Sequence, residues 1–205
     1  MRRISILLLA VITLGLSASG CISYSTYHTA APIEEGVTEG YATGSLYGIA
    51  VDNASISVPV NEIGARYGLS PESDIGFKFH YGGVAADYNH AIILEDDFAL
   101  SLNPYLNVGW IAGLGVGTVF LNVLADVVRQ DDLTLTVGAK PGFIYGLGSI
   151  DDDISTSTAG AMGFMVGVRL DIHPDFSIMP SLDMVSPTTE FGTAWFYNAG
   201  VAVLF

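Results

Sequence analysis

Ionisable side chains along much of this chain fall on one of two alternating faces, and that placement is where any chemistry has to begin. Glu62 and Arg66, Lys78 and His80, Asp87, Asp126, Lys140, Arg169 and Asp171, and Asp183 all alternate with apolar neighbours. Residues two apart on an extended chain share a face. Acids and bases gathered on one face can do one of two things. They can pair across a narrow interior, since a buried charge without a partner is costly, or they can line a polar conduit or small binding cavity. For catalysis a base such as histidine must meet a nucleophile or an orienting carboxylate. His80 with Asp87 across one hairpin is the pair to consider, and a structural contact explains it equally well. Of the four histidines, His28 lies near the start of the chain, His173 in a turn and His90 toward a strand end.

Two other constellations carry less. Asp151, Asp152 and Asp153, followed by Ser155, Thr156 and Ser157, offer oxygen ligands for a divalent cation. They lack the Asp-x-Asp-x-Asp-Gly spacing of a calcium loop, and read as a solvated acidic loop. The run Gly113-Leu114-Gly115-Val116-Gly117 has no helical pattern behind it, so it is not a nucleotide fingerprint. No cofactor and no metal are expected.

The elements that position these residues are strands. From Tyr41 onward the hydropathy pattern has period two, broken at short intervals by turn residues. Ile75, Phe77, Phe79 and Tyr81 oppose Gly76, Lys78 and His80. Ile63, Ala65, Tyr67 and Leu69 oppose Glu62, Gly64, Arg66 and Gly68, and Phe164, Val166, Val168 and Leu170 oppose Gly163, Gly167, Arg169 and Asp171. Ten strands are expected, near 41–51, 57–69, 74–82, 84–94, 98–110, 117–129, 132–147, 160–173, 175–185 and 193–205; eight or twelve fit the same turns. The first is the least regular, with Thr43 and Ser45 on its expected lipid face. Four short polar turns (Ser70–Ser73, Glu95–Asp97, Gln130–Asp131 and His173–Asp175) alternate with connections expected to be longer, at Asp52–Ile56, Ile111–Val116, Gly148–Gly160 and Ser186–Gly192. Short turns at one rim and long loops at the other are the pattern of bacterial membrane barrels. Phe98, Phe176 and Phe205 fall at the short-turn rim, and Tyr81, Trp110, Tyr145 and Trp195 toward the opposite one, as two interfacial belts would require.

Composition agrees. Half of the residues are hydrophobic and 24 are glycine, with no long apolar stretch after the N-terminus. An apolar chain without a membrane helix can still live in a bilayer as a closed barrel. Arg2 and Arg3 followed by the apolar run Ile4–Leu16 read as a secretory signal over 1–20, too short to span as a permanent helix. Two of the seven basic residues belong to that signal, leaving five against 21 acids. This excess of acid argues against nucleic acid, which requires a basic footprint, and against attachment by attraction to anionic lipid. Residues 21–40 are polar and read as an N-terminal tether without a fold of its own, ahead of a barrel domain over 41–205. A single cysteine rules out an intrachain disulfide. The run Ala18-Ser19-Gly20-Cys21 resembles a lipobox, although Ala18 stands where leucine is usual. The resemblance implies that Cys21 is the lipidated first residue of the mature chain.

The final strand alternates Trp195, Tyr197, Ala199, Val201, Val203 and Phe205 with Ala194, Asn198, Gly200 and Ala202. This resembles the C-terminal signature of bacterial outer-membrane β-barrel proteins, in which a terminal aromatic residue is read by the barrel-assembly machinery. The stretch Glu62–Leu69 with Asp74-Ile75-Gly76 is similar to hairpins of small outer-membrane barrel lipoproteins. The resemblance implies an all-β, up-and-down antiparallel transmembrane barrel in the bacterial outer membrane. Its partners would be outer-membrane lipid and, at Phe205, the assembly machinery. The expected role is structural, surface-interacting or limited transport, without catalysis. Alternatives are a narrow porin-like channel for small polar solutes, a rim enzyme acting on lipid A or phospholipid, and a soluble periplasmic β-sandwich.

Overall fold

The computed structural model describes residues 23–51, 54–111, 114–150, 153–188 and 194–205. Ten strands follow in chain order: β1 (Thr38–Val51), β2 (Ala54–Ser70), β3 (Ser73–His80), β4 (Gly83–Leu94), β5 (Ala99–Ile111), β6 (Leu114–Gln130), β7 (Leu133–Ile150), β8 (Asp153–His173), β9 (Phe176–Pro187) and β10 (Ala194–Leu204). Each pairs antiparallel with its chain neighbour, and β1 pairs with β10, so the sheet closes into a barrel with no free edge. The seam extends one residue beyond β10. Gly40 and Phe205 exchange both backbone hydrogen bonds, at 2.7 and 2.8 Å.

The barrel inverts the usual distribution of side chains. Ile63, Phe77, Phe79, Leu106, Phe143, Phe164 and Val166 are exposed on the outside, while Asn89, Asn103, Asn107, Asn122 and Asn198 are buried within. A polar interior behind an apolar exterior suits a wall facing lipid and contradicts a soluble sandwich, whose inner faces are apolar. Strand β1 corrects one expectation. Tyr41, Thr43, Ser45 and Tyr47 point inward and are buried, and Leu46 faces out, so Thr43 and Ser45 are not on the lipid face.

The short-turn rim lies where expected, at residues 71–72, 95–98, 131–132 and 174–175. The four register shifts, between Gly68/Ser70, Ala91/Ile93, Asp126/Val128 and Asp171/His173, all lie near this rim. The opposite rim differs from the sequence reading. The expected loops at Asp52–Ile56, Ile111–Val116 and Gly148–Gly160 are largely strand, since pairing reaches Val51↔Ala54, Ile111↔Leu114 and Ile150↔Asp153. Thr156 and Thr158 are β-branched and suit a strand, although the serines beside them also favour turns. The asymmetry between rims is therefore mainly one of strand length. β7 and β8 run for 18 and 21 residues, well past the roughly 9–11 that cross a bilayer. Asp151 and Asp152 lie outside the described residues, as do the signal segment and Cys21.

The largest correction concerns the N-terminal segment. Residues 23–37 are not a free tether; most of this stretch fills the barrel. Ser23, Tyr24, Ser25, Thr26, Tyr27, His28 and Ala30 are all buried. The segment enters beside Tyr47 and Tyr105, passes Asp126, and reaches the short-turn rim where Gly36 donates its N–H to the Gly68 carbonyl at 2.9 Å. There Gly36 adopts φ 80°, a conformation that favours glycine, and turns the chain into β1. Gly68 has no Cβ because one would collide with the Glu34 carbonyl.

Candidate functional site

The inward face of the barrel meets this segment in layers. One apolar layer joins Tyr27 and Ala30 to Tyr41, Ala99, Leu124, Met165, Met179, Ala202 and Leu204. A second joins Tyr24 to Tyr47, Val60, Ala85, Tyr105, Phe120, Ala161 and Val185. Tyr24 meets the Tyr47 ring edge-on at 5.3 Å between centroids. Bare backbone at Gly200 leaves room for Tyr27, whose hydroxyl a Cβ there would strike. The phenol accepts a hydrogen bond from Asn198 at 3.1 Å.

The charged residues identified by alternation lie on this inner wall, and the structure sorts them into groups. Arg66 is clamped between Asp74, at 2.9 Å from Nε, and Asp87, at 2.8 Å from Nη1. Asp87 also accepts from Asn103 at 2.7 Å and lies 3.9 Å from His28 of the segment. Lys78 stands 3.6 Å from Glu62 and 5.2 Å from the Tyr105 ring centre. Lys140 is paired with Asp183. Arg169 bridges Asp171 at 2.9 Å and Glu39 at 2.8 Å near the short-turn rim, and Ser177 donates to Asp171. His80 does not reach Asp87. Its Nε2 bonds Asn107 Oδ1 at 2.8 Å, because the hairpin register sets Asp87 opposite Gly76, several residues along the strand from His80.

Asp126 is the exception. Its carboxylate is fully buried and forms no ion pair among the described residues. It is satisfied by the Thr136 hydroxyl at 2.7 Å and by the backbone N–H groups of Ala30 and Ala31, at 2.8 and 2.9 Å. The other wall charges grip the segment in the same manner. Lys140 donates to the Tyr24 carbonyl at 2.5 Å, and Lys78 to the Ser25 carbonyl at 2.8 Å. Asp183 accepts from the Thr26 N–H at 3.3 Å, and Asp74 from the Ile33 N–H at 3.1 Å. Tyr105 donates to the Ser23 carbonyl at 2.6 Å, and Asn89 to that of Ala30 at 3.1 Å. Ser25 donates its hydroxyl to Glu62 at 2.6 Å. Charge-assisted bonds of this kind are about twice as strong as neutral ones.

Sequence reasoning missed Asp74, Glu39, Tyr47, Asn89 and Asn122, whereas Asn103, Asn107 and Asn198 were legible on the inward face. Asp74 carried a readable signal, because it alternates with Gly76 and Lys78 on the inward face. Among the described residues no cluster of three His, Cys, Asp or Glu side chains could hold a metal ion. On the outside, an apolar groove of about 380 Å³ lies between Trp110 and Tyr145, where Gly115 and Gly117 lack side chains. None of its lining residues ionises at neutral pH, so it offers lipid contact and no acid or base.

No protein-family model matches the chain, and no curated protein matches it either. Solved structures of bacterial barrels are similar in outline. The Neisserial surface protein A is 12% identical with a TM-score of 0.43, over 81% of this chain and 96% of that one. OprG of Pseudomonas aeruginosa is 8% identical with a TM-score of 0.40, over 87% and 99%. Ail, the attachment invasion locus protein of Yersinia pestis, is 11% identical with a TM-score of 0.37, over 83% and 99%. Likenesses this distant transfer no role, and the function has to be argued from the barrel itself.

Proposed function

We propose that this protein is an outer-membrane β-barrel whose lumen is held shut by its own N-terminal segment, and that it works as a membrane-embedded platform through its projecting hairpins. The apolar exterior, the exposed Trp110 and Phe205 toward opposite rims, and strands long enough to cross support residence in the bacterial outer membrane. Outer-membrane lipid covers the outside, and the assembly machinery engages β10 with its terminal Phe205. The observation that carries the closed state is the buried segment from Ser23 to Ala30, whose backbone is bonded to charges around the inner wall. An open porin-like channel is disfavoured by the same contacts. So is a rim enzyme, since His80 is committed to Asn107 and the outer groove bears no acid or base. Surface interaction falls to the hairpin β7–β8, which stretches beyond the bilayer span.

The full chain, folded into detergent and reconstituted into planar bilayers, tests this reading. Heat-dependent gel migration of a folded barrel and an electrically silent membrane are expected. A protein soluble without detergent, or one giving steady open steps, overturns it.

A further inference from the structure

We propose that the barrel lumen is a peptide-binding site, that residues 23–33 are its resident ligand, and that an extended uncharged peptide supplied in trans can replace them. The proposal rests on the reading of the lumen as filled by this segment, and adds that the filling is exchangeable.

Recognition runs from side chains of the wall to main-chain atoms of the segment. Carbonyls of Ser23, Tyr24, Ser25 and Ala30 accept from Tyr105, Lys140, Lys78 and Asn89. The N–H groups of Thr26, Ala30, Ala31 and Ile33 donate to Asp183, Asp126 and Asp74. The segment adds no strand to the sheet here, so no ladder of backbone pairs ties it to one neighbour. Between Ser23 and Ile33 it carries no acid and no base but His28. Fixed charges therefore meet peptide dipoles, an arrangement suited to capturing an extended chain through its backbone.

Asp126 supplies the independent argument. A carboxylate with no exposed surface and no basic partner would be costly on a wall that faced only itself. Two consecutive peptide N–H groups satisfy it, and they belong to the ligand. The side-chain pockets are few and small. Tyr27 rests in the gap at Gly200, Tyr24 packs edge-on against Tyr47, and Ser25 reaches Glu62. The ligand class is thus an extended peptide rich in Ser, Thr, Ala and Tyr. The segment leaves the barrel through an exposed stretch, Glu34–Val37, at the short-turn rim.

That exposed stretch allows a test on the full chain. A specific protease site is inserted between Glu34 and Val37, the protein is folded and reconstituted, and the site is then cut. Fluorescein-labelled peptide of residues 23–33 is added and its uptake measured by anisotropy after prolonged incubation. The cut barrel is expected to keep its heat-dependent mobility and to take up the peptide saturably. Asp126→Asn should bind it at least about tenfold more weakly, as loss of charge-assisted bonds implies. A cut barrel that stays folded yet takes up no peptide overturns the proposal, as does one that unfolds on cutting or binds equally with Asp126→Asn. Conductance of the uncut protein is read separately. Steps before cutting refute the closed barrel and leave the exchange result to stand on its own.

Discussion

The carboxylate of Asp126, on the inner wall of β6, accepts the backbone N–H of Ala30 at 2.8 Å, across 96 residues of sequence. Its second oxygen takes the next N–H, that of Ala31. This bidentate grip joins barrel and segment without any matching side chain on the segment. Each partner is incomplete alone, since the carboxylate lacks a base and the two N–H groups lie inside a lumen rather than in water. The contact therefore converts an otherwise unfavourable buried acid into the holding point of the interior.

Asp126→Asn should loosen the segment while keeping the shape of the wall. Replacing charged acceptors by a neutral one weakens bonds that contribute about 1.5–3 kcal/mol each. The expected outcome is intermittent conductance in planar bilayers where the parent is silent. Those openings should favour cations, because Glu62, Asp74, Asp87 and Asp183 outnumber Arg66, Lys78 and Lys140 on the inner wall. The reversal potential under a salt gradient checks this. Anion preference, or silence identical to the parent, counts against it.

Lys140 and Asp183 form a buried pair in which each member also holds the segment, at the Tyr24 carbonyl and the Thr26 N–H. Lys140→Met leaves a buried carboxylate without its cation and should cost about 3–5 kcal/mol in urea unfolding of the reconstituted barrel. Asp183→Leu should cost a comparable amount. Their combination removes both charges together, so its cost should fall short of the sum by at least about 1 kcal/mol. Strict additivity would mean that the two residues do not act as a pair.

Much of the barrel was legible from period two alone. The strand count, the outward Phe77 and Phe79, and the inward Lys78 and Lys140 all follow from alternation that a lipid-facing wall enforces. The occupied lumen was not. Residues 23–33 have no periodicity because the wall holds them largely through backbone atoms, which every sequence supplies. The charges that hold them were visible as an inward set, but nothing in their spacing said that their partners would be peptide groups. The face of β1 was misread because Thr43 and Ser45 were weighed as polar interruptions. They are the inward residues, with Ser45 donating to the Val60 carbonyl at 3.1 Å and Thr43 accepting from the Glu62 N–H at 3.1 Å. Strand ends at the long-hairpin rim were lost because Gly, Ser and Asp signal turns as strongly as the strands that contain them here.

The packing of Phe205 on Gly40 and its proposed role in assembly can be separated by a substitution pair. The Phe205 ring packs where Gly40 has no side chain, and a Cβ at Gly40 would sit 2.8 Å from that ring. Gly40→Val should therefore lower the heat-modifiable fraction after refolding, without touching the terminal residue. Adding Phe205→Leu should restore part of that fraction in vitro by relieving the clash. In cells the same double variant should assemble poorly under the proposed engagement of Phe205 by the assembly machinery. Full recovery in both settings would reduce Phe205 to a packing residue.

The position of Ser23 bears on whether Cys21 carries lipid. The Ser23 carbonyl accepts from Tyr105 at 2.6 Å, and Tyr47 donates to its hydroxyl at 3.0 Å. Cys21 stands two residues earlier, and two residues reach about 7 Å at full extension. Tyr105 is central in β5 (Ala99–Ile111), so either rim lies roughly 15 Å away along the barrel axis, allowing for strand tilt. A lipid on Cys21 cannot enter either leaflet while Ser23 keeps these bonds. Lipidation and a seated segment are therefore expected to compete. Chains that incorporate radiolabelled palmitate should show residues 23–30 open to protease and should conduct, whereas in Cys21→Ser those residues should be protected and the membrane silent. A palmitate-labelled chain with the segment fully protected would show that the segment seats in some other way than through Ser23.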